Sequence, residues 1–549
     1  MDMASITTGL STKDTKSTKK AEPFGLGALR VLRGWKLLLF VSLLTSLPVH
    51  AAITNITATR TTVSLRGNAA GIPLRLFALA PWENPSVLSN RVPLATVAAK
   101  KALHIDLARR ADGFDRVYTG FVLCSLDSTK PLGPVRYVER FDGVALWDET
   151  FPQPTSKKGL QVQLVDDALA LGVKHAALNL YLGGWFRGLD GKDVLQWTAD
   201  GGTYRFNRQA VEGLDRQVKR LSDAGVVVNL IVLTGPTGDP AVDRWLVHPN
   251  YSPKAPNKLA AFNTSTEEGF RHFRALFEFL GARYSRPDRQ FGRIVGFIMG
   301  NEVNSHWDWS NMGSATMEPF ADDYLRATRT AWTALQQFAP ASRVYLSLEH
   351  HWNIAYRTTE PDKSFAARPF LEYVNARSKD GGDFPWHVAF HPYPENLFEP
   401  RFWNDKTATP DAASKRVTFK NLPVLTDFLA QPSMRFSGQT RRVILSEQGF
   451  HSPKGPDGEA VQAAAYAYAY RLVERNPAID SFILHRHVDH AHEGGLLLGL
   501  WSNKPGSIAD PDRKKPSYEV FKAADTAEWR KAFAPSLKMV GLEKWPGDE

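Results

Sequence analysis

From residue 159 to about 525, stretches with helical periodicity alternate with short, continuous apolar runs. The clearest run is residues 226–233, Val-Val-Val-Asn-Leu-Ile-Val-Leu. A strand with one solvated face would alternate polar and apolar residues. An unbroken run requires burial on both faces, the condition of a parallel sheet covered by helices. Similar runs fall at 174–180, 293–299, 344–348, 387–390, 443–445 and 480–484, with a short one at 160–162. Helical stretches lie between them at 164–171, 210–224, 267–285, 319–338, 422–429, 460–475 and 518–524. The second of these ends at Gly225, a natural helix stop. Eight strands with about as many helices predict an α/β chain whose main part, residues 156–530, is a closed (β/α)8 TIM barrel. Residues 531–549 read as a C-terminal tail.

The preceding segment has a different texture. Short alternating runs at 61–65, 74–79, 104–107, 117–124 and 135–138 are separated by turn residues. That spacing predicts a small all-β sandwich of immunoglobulin-like size, with its linker, within residues 52–150. Residues 1–51 differ again. A Ser-, Thr- and Lys-rich start leads to Arg30, Arg33 and Lys36, an apolar run at 37–47, Pro48, and small residues at Val49 and Ala51. This order predicts a signal peptide with an extended leader, and so a secreted or periplasmic protein; an uncleaved anchor is the alternative. The apolar run falls short of the ~20 residues a membrane-spanning helix needs, so no stable span is expected after cleavage.

Composition removes several function classes. One cysteine, Cys124, excludes an internal disulfide framework and a cysteine-based metal cluster. The formal charge is +10, but without residues 1–51 the chain carries 60 basic against 54 acidic groups. That balance predicts no nucleic-acid partner. No P-loop and no strand-linked glycine fingerprint is present, so no nucleotide is expected. A G-x-S-x-G elbow is absent as well.

In such a barrel the reactive groups sit just past the strand ends. After the fourth strand comes Gly300-Asn301-Glu302, and after the seventh Ser446-Glu447-Gln448. After the sixth comes His391-Pro392-Tyr393. Two carboxylates facing each other across a barrel mouth suit glycosidic bond cleavage. One gives a proton to the leaving oxygen, and the other attacks the anomeric carbon or activates water. Glu302 and Glu447 are therefore the candidate catalytic pair, with carboxyl groups expected ~5–5.5 Å apart if the enzyme retains configuration. Asn301 is placed to bond a sugar 2-hydroxyl, and His391 and Tyr393 offer further hydrogen bonds. Trp185, Trp307 and Trp309 follow strand ends and are candidates for stacking on sugar rings.

Residues 485–493 hold four histidines and two carboxylates, with His487 the candidate sugar contact. A metal-dependent hydrolase built on these histidines is an alternative. The His-x-His pair after strand one and the H-E-x-x-H helix that would support it are missing, so neither metal nor cofactor is expected.

Taken together, Asn301-Glu302, His391-x-Tyr393 and Glu447 resemble the retaining glycoside hydrolases of clan A. Lys515-Pro516-Ser517-Tyr518 is similar to that clan's closing segment. The resemblance covers roughly residues 156–525. It implies a (β/α)8 barrel in which Glu302 is the acid/base and Glu447 the nucleophile. Residues 157–182 are also similar to a bacterial family described only as a domain of unknown function. The chain departs from the clan in two places. Strand two ends in Asn179-Leu180-Tyr181 with Arg187 further on, where the clan often has an Arg. Strand eight ends in His485-Arg486-His487 in place of a Trp, the next being Trp501. The expected function is an exported retaining glycoside hydrolase acting on a β-linked oligo- or polysaccharide. A catalytically silent carbohydrate-binding barrel is the alternative from another class.

Overall fold

The computed structural model describes residues 51–111 and 113–548. The leader read as a signal peptide lies, but for Ala51, outside the described residues. Among the described residues no helix is long and apolar enough to cross a membrane.

Eight parallel strands close into a barrel: β1 (Lys158–Gln161), β2 (His175–Tyr181), β3 (Val227–Leu233), β4 (Gly296–Met299), β5 (Arg343–Glu349), β6 (Trp386–His391), β7 (Val443–Gln448) and β8 (Ile479–Leu484). Closure is made by β1 on β8, with Gly159 opposite Ile483 and Leu160 opposite Leu484. The expected (β/α)8 barrel is the fold. Strand β4 starts at Gly296 rather than at 293, because Arg293 is engaged elsewhere. Its backbone N–H donates to Ser222 Oγ at 3.0 Å, and its guanidinium pairs with Glu149 at 2.7 Å.

Strand alternation sorts the interior into layers. Ala177, Ile231, Ile298, Tyr345, Ala389, Ile444 and Ile483, one from each of β2 to β8, form a buried apolar cluster that plugs the barrel. Side chains two residues further along a strand face the same way. The next inward layer is therefore Gln161, Asn179, Leu233, Gly300, Ser347, His391, Ser446 and His485. Six of these eight are polar, and they floor the open C-terminal mouth.

The outer helices are amphipathic. In Arg208–Asp223, Val211, Leu214, Val218 and Leu221 are buried, on one face at helical spacing. Its start is capped by Asn207, which accepts from the Ala210 N–H at 2.9 Å. Three elements depart from the sequence reading. One hairpin, Val194–Ala199 with Gly202–Asn207, is inserted after β2, and another, Trp501–Asn503 with Pro511–Lys514, after β8. The stretch read as a tail forms a helix, Trp529–Val540, which buries Phe533. Pro535 inside it hides the helical pattern from a sequence reading.

The N-terminal residues form two small sheets, as expected, and a two-stranded pair, Arg110–Ala111 with Phe114–Asp115. One sheet orders Ala102–Ala108, Thr62–Asn68, Ala52–Ala58 and Arg140–Phe141; the other Ala95–Val97, Leu74–Leu79 and Gly120–Ser125. Ile56, Val63 and Leu65 of the first share a core with Leu74, Leu76, Phe121 and Leu123 of the second. The run at 135–138 forms only a bridge, Arg136 to Phe121.

This β unit leans on the barrel's flank. Trp82 and Tyr118 pack on Phe270 of the helix Glu267–Tyr284, with ring centroids 5.4 and 5.8 Å away. The Tyr118 hydroxyl donates to Glu278 of the same helix at 2.8 Å. Among the described residues, none of the β unit is a hydrogen-bonding partner of Glu302 or Glu447.

Candidate active site

Glu302 leaves β4 on a sharply turned backbone. Gly300 has φ +75° and Glu302 itself φ +40°, both left-handed. Glycine takes that conformation freely, whereas at Glu302 it costs about 1–3 kcal/mol and needs outside support. The support comes from β5. The Glu302 N–H donates to Ser347 Oγ at 3.1 Å. Two residues on, Asn304 and Glu349 bond reciprocally. The Asn304 amide donates to Glu349 Oε1 at 2.6 Å and its Oδ1 accepts from the Glu349 N–H at 3.0 Å. Ser305 Oγ adds a bond to Glu349 at 3.2 Å.

Glu447 sits at the end of β7, which is locked to β8. The buried Gln448 amide donates to the Ile483 carbonyl at 2.6 Å, and the His485 N–H donates to the Gln448 carbonyl at 2.8 Å. Gly449 is required here, because a Cβ would collide with the His485 carbonyl.

The two carboxylates converge. Ligand-type atoms of Glu302, His391 and Glu447 all lie within 4.8 Å of one another. His391 is the link: Nδ1 is 2.9 Å from Glu302 Oε1 and Nε2 is 3.0 Å from Ser446 Oγ. The Tyr393 hydroxyl donates to Glu447 Oε1 at 3.4 Å.

Burial raises the Glu302 pKa. The His391 bond and charge oppose this, and the charges of Glu447 and Glu349 reinforce it. Burial works against the His391 imidazolium, but the bond to Glu302 and the charge of Glu447 outweigh it and raise its pKa. The Tyr393 phenol is pushed well up by burial, then by Glu447, Glu493 and Glu302. Glu349 differs. Burial would raise it, but His351, 2.5 Å away, and His350 bring it to about 2. Two carboxyl groups in one neighbourhood, Glu302 and Glu349, are thus pushed in opposite directions by their surroundings.

The β8–β1–β2 side of the mouth is a chain of polar side chains. Gln161 donates to Asn179 at 3.3 Å. His485 Nδ1 meets Gln161 Oε1, and its Nε2 is 3.0 Å from Glu493. Arg486 also pairs with Glu493. Burial opposes the lowered Glu493 pKa, and His485 and Arg486 outweigh it.

The remaining sequence-derived candidates divide. Asn301 is buried beside Glu302. Trp309 packs on the interior apolar cluster together with Tyr181, and the Trp307 ring lies under the Lys363 ammonium at 4.9 Å. Trp185 belongs to the core: only 4% is exposed, and it packs on Phe206 and Phe279. His487 does not reach the mouth. It is fully buried, with Nε2 2.9 Å from Asp167 Oδ2 and Nδ1 accepting from the Leu164 N–H at 3.3 Å. Trp501 and Tyr518 also donate to Asp167, at 2.8 and 2.7 Å, closing a structural knot just past the end of β1. The residue of that segment which faces the floor is His485, two past the inward Ile483. Alternation also exposes Gln161, Asn179, Ser347 and Ser446, which the sequence reading did not single out.

Two groups of side chains among the described residues bring three ligand-type atoms within 4.8 Å: Glu302, His391 and Glu447, and Glu349, His350 and His351. In both, several of these atoms already have hydrogen-bond partners. Each ring nitrogen of His391 has a partner. Glu349 accepts from Asn304, Ser305 and the His351 N–H, and His350 Nδ1 is bonded to the Tyr393 carbonyl at 3.0 Å. The β8 histidines do not converge, since His485 goes to Glu493 and His487 to Asp167.

A family described as one of unknown function, DUF5722, matches residues 150–547. No curated protein matches the chain. Among solved structures it is similar to a family 39 glycoside hydrolase from the gut symbiont Bacteroides cellulosilyticus WH2, at 14% identity and a TM-score of 0.44, over 87% of this chain and 82% of that one. A hyperthermophilic β-glucosidase from Pyrococcus furiosus aligns at 14% identity and a TM-score of 0.43, over 68% of this chain and 86% of that one.

Proposed function

We propose, for a chain that belongs to the DUF5722 family of unknown function and takes no substrate from that membership, that it hydrolyses β-glycosidic bonds of an oligo- or polysaccharide with retention of configuration. One observation carries this reading. Glu302 and Glu447, from opposite strands of the barrel, have carboxylate oxygens within 4.8 Å of each other. Oxygens that close suit direct attack by one carboxylate, the arrangement of retaining pairs.

The roles follow from environment. Glu302, whose pKa burial raises, is the acid that protonates the leaving oxygen. Glu447, held by the Tyr393 hydroxyl, attacks the anomeric carbon and forms a glycosyl ester. That ester carries no negative charge, so Glu302, having given up its proton, stays ionised and draws a proton from the incoming water as that water attacks the anomeric carbon and breaks the bond to Glu447. Tyr393 and His391 keep the two carboxylates apart in role while close in space. Asn301 is the candidate partner for the sugar 2-hydroxyl, and Gln161, Asn179, His485 and Glu493 are candidates for the other hydroxyls.

Two variants separate the roles. Glu447→Ala should abolish hydrolysis of every substrate, with azide restoring turnover to a product of inverted configuration. Glu302→Ala should lose ~10²–10⁴-fold on poor leaving groups, keep activity on activated aryl glycosides, and give an azide product of retained configuration. Opposite stereochemistry would swap the assignments, and wild-type activity in both variants would sink the reading.

A further inference from the structure

The loops above β4 and β5 form a stiff rim that the hydrolysis steps above leave unused. Asp308, between Trp307 and Trp309, takes a two-pronged ion pair from Arg357, with bonds of 2.9 and 2.7 Å. Arg357 also reaches Glu360 at 3.0 Å. The Trp307 N–H donates to the Lys363 carbonyl at 3.2 Å, and the Phe365 N–H to the Asn304 carbonyl at 2.7 Å. These bonds tie the loop that carries Glu302 to the loop that follows β5.

Tyr356 stands on this frame with 43% of its surface exposed. Its ring centroid is 5.6 Å from that of His351. His351 is bonded to Glu349, and Glu349 is clamped to Asn304, two residues past Glu302. The ring therefore lies on the wall of the mouth at the Glu302 side. Burial and the charge of Asp308 raise its phenol against the pull of Arg357, and Glu302 and Glu349 add to the rise, which agrees with that nearness.

An aromatic ring half in the open, on a loop tied down at the next residue by Arg357, is apolar area ready for a partner. The partner is set by chemistry. Glu302 protonates the leaving oxygen, so the ring attached to that oxygen must sit on the same side of the mouth.

We propose that Tyr356 is the stacking platform for the leaving sugar ring, which makes the substrate a glycan with a pyranose on the departing side. The proposal rests on the hydrolase reading above.

The test uses the whole protein and two substrates of one glycone. The first is a β-glycosyl fluoride, taken from a glucosyl, galactosyl, mannosyl and xylosyl panel as the one the wild type turns over. Its leaving group has no ring to stack. The second is the β-linked disaccharide of the same glycone. Tyr356→Ala should lower kcat/KM on the disaccharide about tenfold and leave the fluoride within about twofold. Tyr356→Phe, which keeps the ring, should stay within about twofold on both. Equal losses on the two substrates in Tyr356→Ala, or no loss on the disaccharide, would overturn the platform alone. A wild type inactive on every fluoride and disaccharide, or a Glu447→Ala variant as active as wild type, would overturn the hydrolase reading and the platform with it.

Discussion

Glu447→Gln removes one charge from the mouth and keeps its shape. Carboxylate oxygens of Glu302 and Glu447 lie within 4.8 Å of each other, and two unit charges at that limit repel by about 3.5 kcal/mol at an effective dielectric of ~20. That repulsion resists the ionisation of Glu302 and so adds to its raised pKa. Glu302 keeps 14% side-chain exposure, and water in the mouth should screen part of that repulsion. The direction is fixed. The Glu447 charge makes a second negative charge harder to form, so its removal lets Glu302 lose its proton at lower pH. Burial, the larger cause of the raised pKa, persists, so Glu302 should remain above the ordinary carboxyl range. The assay is a carboxyl-carbon NMR titration of wild type and Glu447→Gln, with the Glu302 resonance assigned by its absence in Glu302→Gln. In the wild type the interacting pair titrates as a unit, and the variant isolates one member. A midpoint that stays put or rises in Glu447→Gln would refute the idea that the two groups share a field, and with it the switch of Glu302 from acid to base.

Two stability predictions follow from the same linkage. The folded Glu302 pKa is raised, so the native state holds that proton more tightly than the unfolded chain. No penalty exists below the unfolded value of ~4.3, and stability is lost as pH rises through the folded value. Glu302→Gln should therefore melt higher than wild type near pH 8 and together with it near pH 4, as read by calorimetry. Asp167 has the opposite sign. Burial would raise it, but the bonds from His487, Trp501 and Tyr518 hold it at about 2. Its contribution is present above the unfolded value of ~3.9 and lost as pH falls to about 2. Asp167→Asn should melt below wild type at pH 7, with the gap narrowing towards pH 2; a gap independent of pH would show that the charge is not what holds the knot.

Much of the barrel is legible because the signal is local. Residues 226–233 are apolar on both faces whatever surrounds them, and Glu302 and Glu447 stand just past such runs. The misreadings have separate causes. Trp185 follows a strand end, yet the inserted hairpin brings Phe206 against it and draws it into the core. Trp529–Val540 was hidden by Pro535, which this helix tolerates on an outer layer.

His485 and His487 show where the boundary lies. The sequence by itself determined that eight buried strands must close under a ring of helices, that two glutamates emerge at β4 and β7, and that a histidine-rich segment follows β8. Which of those histidines meets the site was decided only by the tertiary structure. Side-chain direction alternates with every residue, so a shift of one position exchanges inside and outside. The phase is set by pairing with neighbouring strands: Ile483 opposite Gly159 turns His485 to the floor, and Asp167, 320 residues away in sequence, captures His487. The same long-range packing brings Glu302 and Glu447 together and places Glu349 beneath Asn304. No window of sequence contains those contacts, because each is made by residues from different strands.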